Sequence, residues 1–274
     1  MKYLTPRTAT ELLEIQSELP WRDIVFLAGG TDLMPRWELG RSLPQYIIDV
    51  KKIVDFTGIK EGSDEITIGA LTTIQDMLYS NIIQNEFTAL SDAASQFAGV
   101  QIRNRATIGG NICNASPAGD LLPGLYVYNA KVVLTGPAGT RQLPISEFIT
   151  GPGETKLLPN EILASIKLPV QNIKSTFYKL GLRQAMAISV INFAITYKKN
   201  SSGSFSELTI AAGAVAPTVV ALNQFTKAVV EGIDIVEAIE LVNENIAPID
   251  DIRATAQYRS KALKNALIYY TQHL

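Results

Sequence analysis

A chain of 274 residues, 47% hydrophobic and 18% charged, is long enough to bury a sizeable core in one or two domains and too apolar to be disordered. Its net charge of −2, with Lys and Arg spread along the sequence, leaves no basic stripe of the kind that nucleic-acid binding needs. One Cys and one His, the latter at position 273, exclude an intrachain disulfide, an iron–sulfur cluster held by this chain alone, a Ser-His-Asp triad and a His-rich metal site.

The first residues carry no apolar leader-like segment, and no apolar run approaches the roughly 20 residues of a membrane helix. A soluble, cytoplasmic protein without membrane or nucleic-acid partners is expected. Thr8-x-x-Glu11 is a capping box, and Leu12, Leu13 and Ile15 behind it predict a helix to about Glu18. Asp23–Ala28 and Tyr46–Val50 read as strands, and Glu65–Gly69 alternates as a third. Thr73 caps a short helix through Tyr79; Thr88–Phe97 is Ala-rich and helical, with Gly99 placed as its C-cap. Strands follow at Lys131–Leu134 and Glu161–Leu168, separated by the turn Gly136-Pro137-Ala138-Gly139. Beyond Pro169, Thr176–Leu180 leads into a period-two series, Ile191, Phe193, Ile195 and Tyr197. Asn200-Ser201-Ser202-Gly203 then turns a hairpin into a strand begun by Leu208 and Ile210. Helices over about 222–231, 234–245 and 253–271 close an α+β chain.

Two glycine pairs punctuate this pattern: Leu27-Ala28-Gly29-Gly30-Thr31-Asp32-Leu33 and Thr107-Ile108-Gly109-Gly110-Asn111-Ile112-Cys113-Asn114. Each follows a stretch that reads as a strand and places small hydrogen-bonding residues where the chain must turn. Without a Cβ, backbone amides can approach a ligand together and form an anion-binding nest. A lone Gly-Gly is most often only a turn, and neither pair is a G-x-G-x-x-G fingerprint. Pro35 also interrupts the residues after the first pair, where a helix should open. The pattern marks two candidate phosphate loops and leaves the ligand unnamed.

Phe26–Pro35 (FLAGGTDLMP) and Gln101–Pro123 (QIRNRATIGGNICNASPAGDLLP) resemble the flavoprotein subunit of the molybdenum hydroxylases. This is the group of xanthine dehydrogenase and carbon monoxide dehydrogenase. The resemblance continues in order through Thr150-Gly151-Pro152-Gly153, Tyr178-Lys179-Leu180-Gly181, Ala185-Met186-Ala187-Ile188-Ser189, Gly213-Ala214-Val215-Ala216-Pro217-Thr218 and Ala254–Ala262. Trp37-Glu38-Leu39-Gly40 is most like the bacterial xanthine dehydrogenase subunits. The implied fold is a two-lobed FAD-binding domain of the PCMH type over 1–170, with lobes at about 1–56 and 57–170. A C-terminal antiparallel sheet with helices would follow over 171–274.

The resemblance further implies non-covalent FAD between the two N-terminal lobes. Phe26, Leu27, Ala28, Gly29, Gly30, Thr31, Asp32 and Leu33 match the first cofactor segment, with pyrophosphate on the amides of Ala28–Thr31. Ala106, Thr107, Gly110, Asn111 and Asn114 match the second. Asp32 either caps turn amides or meets a ribose. Asp120 opens Leu-Leu-Pro, where capping a helix and contacting the cofactor are both open. Phe97 is an aromatic beside the adenine or flavin, or a core residue, and Met186 packs in the core or under the flavin. Leu163 matches a flavin contact. Lys179 is either a cation near the ring or a surface strand lysine. Arg103 and Arg105 frame the second segment, facing phosphate or a partner chain, and Cys113 is a packing residue rather than a flavin tether. No side chain of this chain is implied as catalytic and none as a metal ligand. Molybdopterin is expected on a large partner subunit and [2Fe–2S] clusters on a small one, with electrons leaving FAD for NAD⁺ or another acceptor. A stand-alone FAD oxidase and a non-catalytic flavin-binding or assembly protein are the alternatives. The single terminal His and the short C-terminal region speak against the first.

Overall fold

The computed structural model describes all residues, Met1–Leu274. Strand β1 (Lys2–Leu4) leads to helix α1 (Ala9–Ser17), whose N-cap Thr8 accepts from the Glu11 amide at 3.1 Å. Only half of the predicted capping box forms, because the Glu11 carboxylate accepts instead from the Arg7 amide at 2.7 Å. β2 (Ile24–Leu27), helix α2 (Leu33–Glu38) and β3 (Tyr46–Asp49) follow. The strands form a parallel sheet in the order β1-β3-β2, packed through Ile48 and Val50 on Leu12 of α1. α2 opens despite Pro35. Proline stands third in the helix, within the first turn, where its missing N–H leaves no internal bond unmade.

β4 (Ile59–Glu61) and β5 (Glu65–Gly69) pair antiparallel, and Thr73 and Asp76 cap α3 (Ile74–Tyr79) reciprocally. α4 (Asn81–Glu86) and α5 (Thr88–Gln96) follow. α5 does not end on Gly99. Its left-handed residue is Ala98 (φ 41°), while Gly99, with φ −108°, is the N-cap of α6 (Val100–Arg103). α7 (Ile108–Asn114) and α8 (Leu121–Val127) come next. The expected turn at 136–139 joins β6 (Lys131–Gly136) to β7 (Gly139–Pro144), a polar, largely exposed strand that period-two reading passes over. After α9 (Ile145–Phe148), β8 (Ile149–Gly151) and β9 (Glu154–Thr155) form a small hairpin. β10 (Ile162–Pro169) then inserts between β5 and β6, giving the sheet order β4-β5-β10-β6-β7.

β11 (Lys174–Gly181), β12 (Ser189–Lys199), β13 (Phe205–Gly213) and β14 (Val220–Ala221) form an antiparallel sheet in sequence order. Ser189–Tyr197 is buried on both faces of β12. Ile191, Phe193, Ile195 and Tyr197 face a core shared with α10 (Asn223–Val230), α11 (Ile235–Ala238) and α12 (Ala256–His273). α5 and α8 pack on the same sheet. Gly124 of α8 lets Leu90 of α5 close in, where a Cβ would stand 2.7 Å from the Leu90 side chain.

Packing divides the chain into two compact units that are not contiguous in sequence. One comprises Met1–Ser80, Gly99–Asn114 and Ala130–Val170; the other comprises Asn81–Ala98, Ala115–Asn129 and Gln171–Leu274. The expected boundary near 170 separates elements along the sequence, and the compact units cut across it.

Candidate functional site

In the first unit, β2 delivers the chain to Leu27, whose carbonyl accepts from the Val50 amide at 3.1 Å and closes the sheet edge. The chain then turns through Ala28–Asp32, with Gly30 left-handed at φ 73°. Gly29 lies so close to a neighbouring segment that a Cβ would stand 2.1 Å from the Arg105 carbonyl oxygen. The amides of Gly29, Gly30, Thr31 and Asp32 meet no acceptor in the chain, and neither does the Thr31 hydroxyl. These half-buried donors suit a multiply charged oxyanion.

Asp32 caps nothing. Its carboxylate pairs with Arg36 at 2.7 Å, and Arg36 Nη2 donates to Asn114 Oδ1 at 2.8 Å, tying α2 to α7. The acidic side chain beside the loop is thereby neutralised. Phe26 stacks obliquely with Trp21, ring centroids 5.9 Å apart, and Leu27 and Leu33 are half-buried. Against Gly29 opens a concavity of about 180 Å³ to which Lys51, Thr73, Arg105 and Thr107 contribute.

The second glycine pair is not a loop. Gly109 and Gly110 lie inside α7, and Thr107 before them makes only a single bridge with Thr73. Its amides are already used: Ile108 N donates to Thr72 O, Gly109 N to Ala70 O, Gly110 N to the Thr107 hydroxyl and Asn111 N to Thr107 O. The expected second nest is therefore absent. Gly109 serves packing, since a Cβ there would stand 2.7 Å from Ala70. What α7 offers a ligand is the Asn111 side chain, whose Oδ1 is buried without a partner. Ala106 and Thr107 are each 5% exposed. Burial pushes the Cys113 thiol up to about 12, so it stays protonated and unreactive at neutral pH. Arg103 donates from Nε to Gln75 Oε1 at 3.2 Å. Leu163 sits at 3% exposure on β10, its side chain within the core of the five-stranded sheet.

In the second unit, Asp120 stands at the head of α8 without capping it. Its carboxylate accepts instead from Lys179 Nζ at 2.5 Å, from the Ser189 hydroxyl at 2.6 Å and from Asn192 Nδ2 at 3.2 Å. Lys179 is no surface lysine: its side chain is 6% exposed, and Nζ also donates to the Gln96 carbonyl at 3.1 Å. It borders a concavity of about 300 Å³ formed with Leu180–Ala187. Phe97 is half-buried where α5 ends, and Met186, 60% exposed with φ 52°, lies outside any core. Ser189 and Asn192 escaped the sequence reading. Their signal is the pair of small polar residues in the first half of a strand whose residues Ser189–Tyr197 are buried on both faces.

The loop donors and the unpaired Asn111 oxygen lie in the first unit and the buried ammonium in the second; comparison with known proteins gives the class of protein. The family described as "FAD binding domain in molybdopterin dehydrogenase" matches residues 1–171, and "CO dehydrogenase flavoprotein C-terminal domain" matches 176–274. The chain belongs to this family of FAD-binding oxidoreductase subunits. It is 36% identical over 241 residues to a xanthine dehydrogenase FAD-binding subunit of Escherichia coli O157:H7, covering 85% of this chain and 82% of that one. It is 30% identical over 270 residues to the carbon monoxide dehydrogenase medium chain of Hydrogenophaga pseudoflava, covering 94% and 91%. A solved carbon monoxide dehydrogenase from Hydrogenophaga pseudoflava superposes with a TM-score of 0.91 at 28% identity, over 98% of this chain and 95% of that one. No helix is long and apolar enough to cross a membrane.

Proposed function

We propose that this chain is the FAD-carrying subunit of a xanthine dehydrogenase-like molybdenum hydroxylase, in which electrons pass from [2Fe–2S] clusters of a small partner subunit, by way of the FAD, to NAD⁺ or another acceptor. Molybdopterin and substrate then belong to a large partner subunit. The observation that carries this reading is the run of four unspent amides at Gly29–Asp32 in a chain matched over nearly all its length by FAD subunits.

FAD, held non-covalently, supplies all the redox chemistry. The chain's residues bind and tune it. Gly29, Gly30 and Thr31 donate to the pyrophosphate, with the Thr31 hydroxyl as a further donor. Arg36 keeps the Asp32 carboxylate from opposing that charge. Asn111 brings a buried, unpaired acceptor to a donor of the cofactor. No general acid or base is needed.

The test is direct. The purified chain is mixed with FAD, stripped of excess, and its visible spectrum recorded before and after acid precipitation. A flavin band that is retained and then released by acid supports the reading. Absence of flavin from both the isolated chain and a complex co-expressed with its partners refutes it.

A further inference from the structure

The chain passes between its two compact units five times, at Ser80–Asn81, Ala98–Gly99, Asn114–Ala115, Asn129–Ala130 and Val170–Gln171. Three of these crossings coincide with a left-handed residue that is not glycine: Ala98 (φ 41°), Ala115 (φ 46°) and Asn129 (φ 53°). Elsewhere only Asn160, Met186 and Ala214 take that conformation with a Cβ in place. Each of the three stands just past a helix. Ala98 follows α5 and its C-cap Phe97, Ala115 follows α7 directly, and Asn129 follows α8 and its C-cap Tyr128.

A left-handed residue commonly ends a helix, and it is usually glycine because a Cβ crowds the backbone there. Helices that end inside one unit follow this rule: α2 stops at Gly40 (φ 88°) and α10 at Gly232 (φ 91°). A Cβ at either would meet nothing within 4 Å, so conformation and not space selects glycine. At the crossings the same turn is made with a Cβ present. Ala98 and Ala115 lack the short polar side chain that eases this conformation for Asn129, so the packing on either side must hold them. Before Ala98, Ala89, Ala93 and Ala94 of α5 are fully buried; after it, the Gly99 carbonyl accepts from the Arg103 amide at 2.9 Å. Ala115 is itself 1% exposed, with Ile112 fully buried before it and the Pro117 carbonyl accepting from the Ala214 amide at 2.7 Å after it.

We infer that Ala98, Ala115 and Asn129 are stiff joints that limit the play between the two units. The left-handed well of a residue with a Cβ is small and separate from the α and β wells, whereas glycine ranges over both signs of φ. A crossing closed by alanine therefore cannot creep, and one closed by glycine can. Units joined in one chain move relative to one another by default, and these joints oppose that default. Nothing in this device depends on the FAD reading.

The experiment uses the full chain with spin labels on Ser63→Cys in one unit and Ser201→Cys in the other, both at exposed positions; the native Cys113 thiol is buried and stays unlabelled. Pulsed electron–electron double resonance reads the width of the distance distribution between the labels. The otherwise native chain is compared with Ala98→Gly/Ala115→Gly and with Ala214→Gly, which makes the same exchange at φ 61° inside one unit. The crossing variant is expected to broaden the distribution, and adding Asn129→Gly to broaden it further, while Ala214→Gly leaves the width unchanged. An unbroadened distribution in crossing variants that circular dichroism shows to be folded overturns the inference, because these residues then end helices and nothing more. Equal broadening by Ala214→Gly overturns it too. Where the exchange at buried Ala115 fails to fold, Ala98→Gly/Asn129→Gly, both outside the core, is read in its place.

Discussion

Gly29 and Gly109 do different work in motifs that look alike. Both are glycine because backbone or Cβ atoms of a neighbouring segment fill the space of a side chain, Arg105 in one case and Ala70 in the other. Only the loop around Gly29 keeps its amides unspent. A sequence shows that a Cβ is absent and cannot show what occupies its place, so the first loop was legible and the helix at the second pair was not. Gly29→Ala is expected to push the loop off Arg105 and abolish FAD retention, which the absorption of the desalted chain checks. Arg259 makes a second residue-scale case. It is 1% exposed, donates to the Val190 and Ala214 carbonyls, and pairs with Asp251 at 2.6 Å. Arg259→Ala is expected to cost about 3 kcal/mol in urea denaturation, because the carbonyls and the carboxylate lose their partner.

Asp251 carries a pH signature. Hydrogen bonds from Arg253 hold its carboxyl well below the usual carboxylate range. A carboxyl depressed on folding stabilises above its unfolded pKa of about 3.9, and that contribution is lost as pH falls from there toward the folded value. The stability gap between wild type and Asp251→Asn is therefore expected to stay flat from neutral pH to about pH 5 and to shrink in stronger acid, as denaturation at a series of pH values would show.

Among the elements, those with a strong period or a cap were legible: β5, β12 and α3 lie where alternation and Thr73 put them. β7 was hidden because an edge strand facing water has no apolar alternation to display. α7 was hidden because two glycines in seven residues argue against a helix. It forms because Thr107 accepts from the Gly110 amide and Ala70 accepts from the Gly109 amide. Gly109→Ala separates propensity from packing. In an isolated helix alanine would gain about 1 kcal/mol, whereas here the contact with Ala70 is expected to turn that into a loss of roughly 1–3 kcal/mol. Thermal denaturation gives the sign.

For the molecule as a whole, the second unit recruits α5 and α8 from the middle of the sequence to cover a sheet formed after residue 171. No local pattern announces this, since Ala89, Leu90, Ala93, Leu121 and Leu125, all fully buried, look like any helix core. The buried cluster around Asp120 was invisible for the same reason: its donors come from β11 and β12, 59 to 72 residues further on. A fragment of residues 1–170 is therefore expected to expose those helix faces, bind a hydrophobic dye and associate on gel filtration. A monomeric fragment with a sharp unfolding transition would contradict it.

The Thr88 hydroxyl at the start of α5 donates to the Ser175 carbonyl, 87 residues further along. A ribosome adding roughly 5–20 residues per second takes on the order of ten seconds to supply that partner. Throughout that interval the apolar face of α5 has left the exit tunnel and has no strand to rest on. Each newly made copy thus presents a greasy helix to the surrounding water before its cover exists, which makes the nascent chain a natural client for chaperones that bind hydrophobic segments.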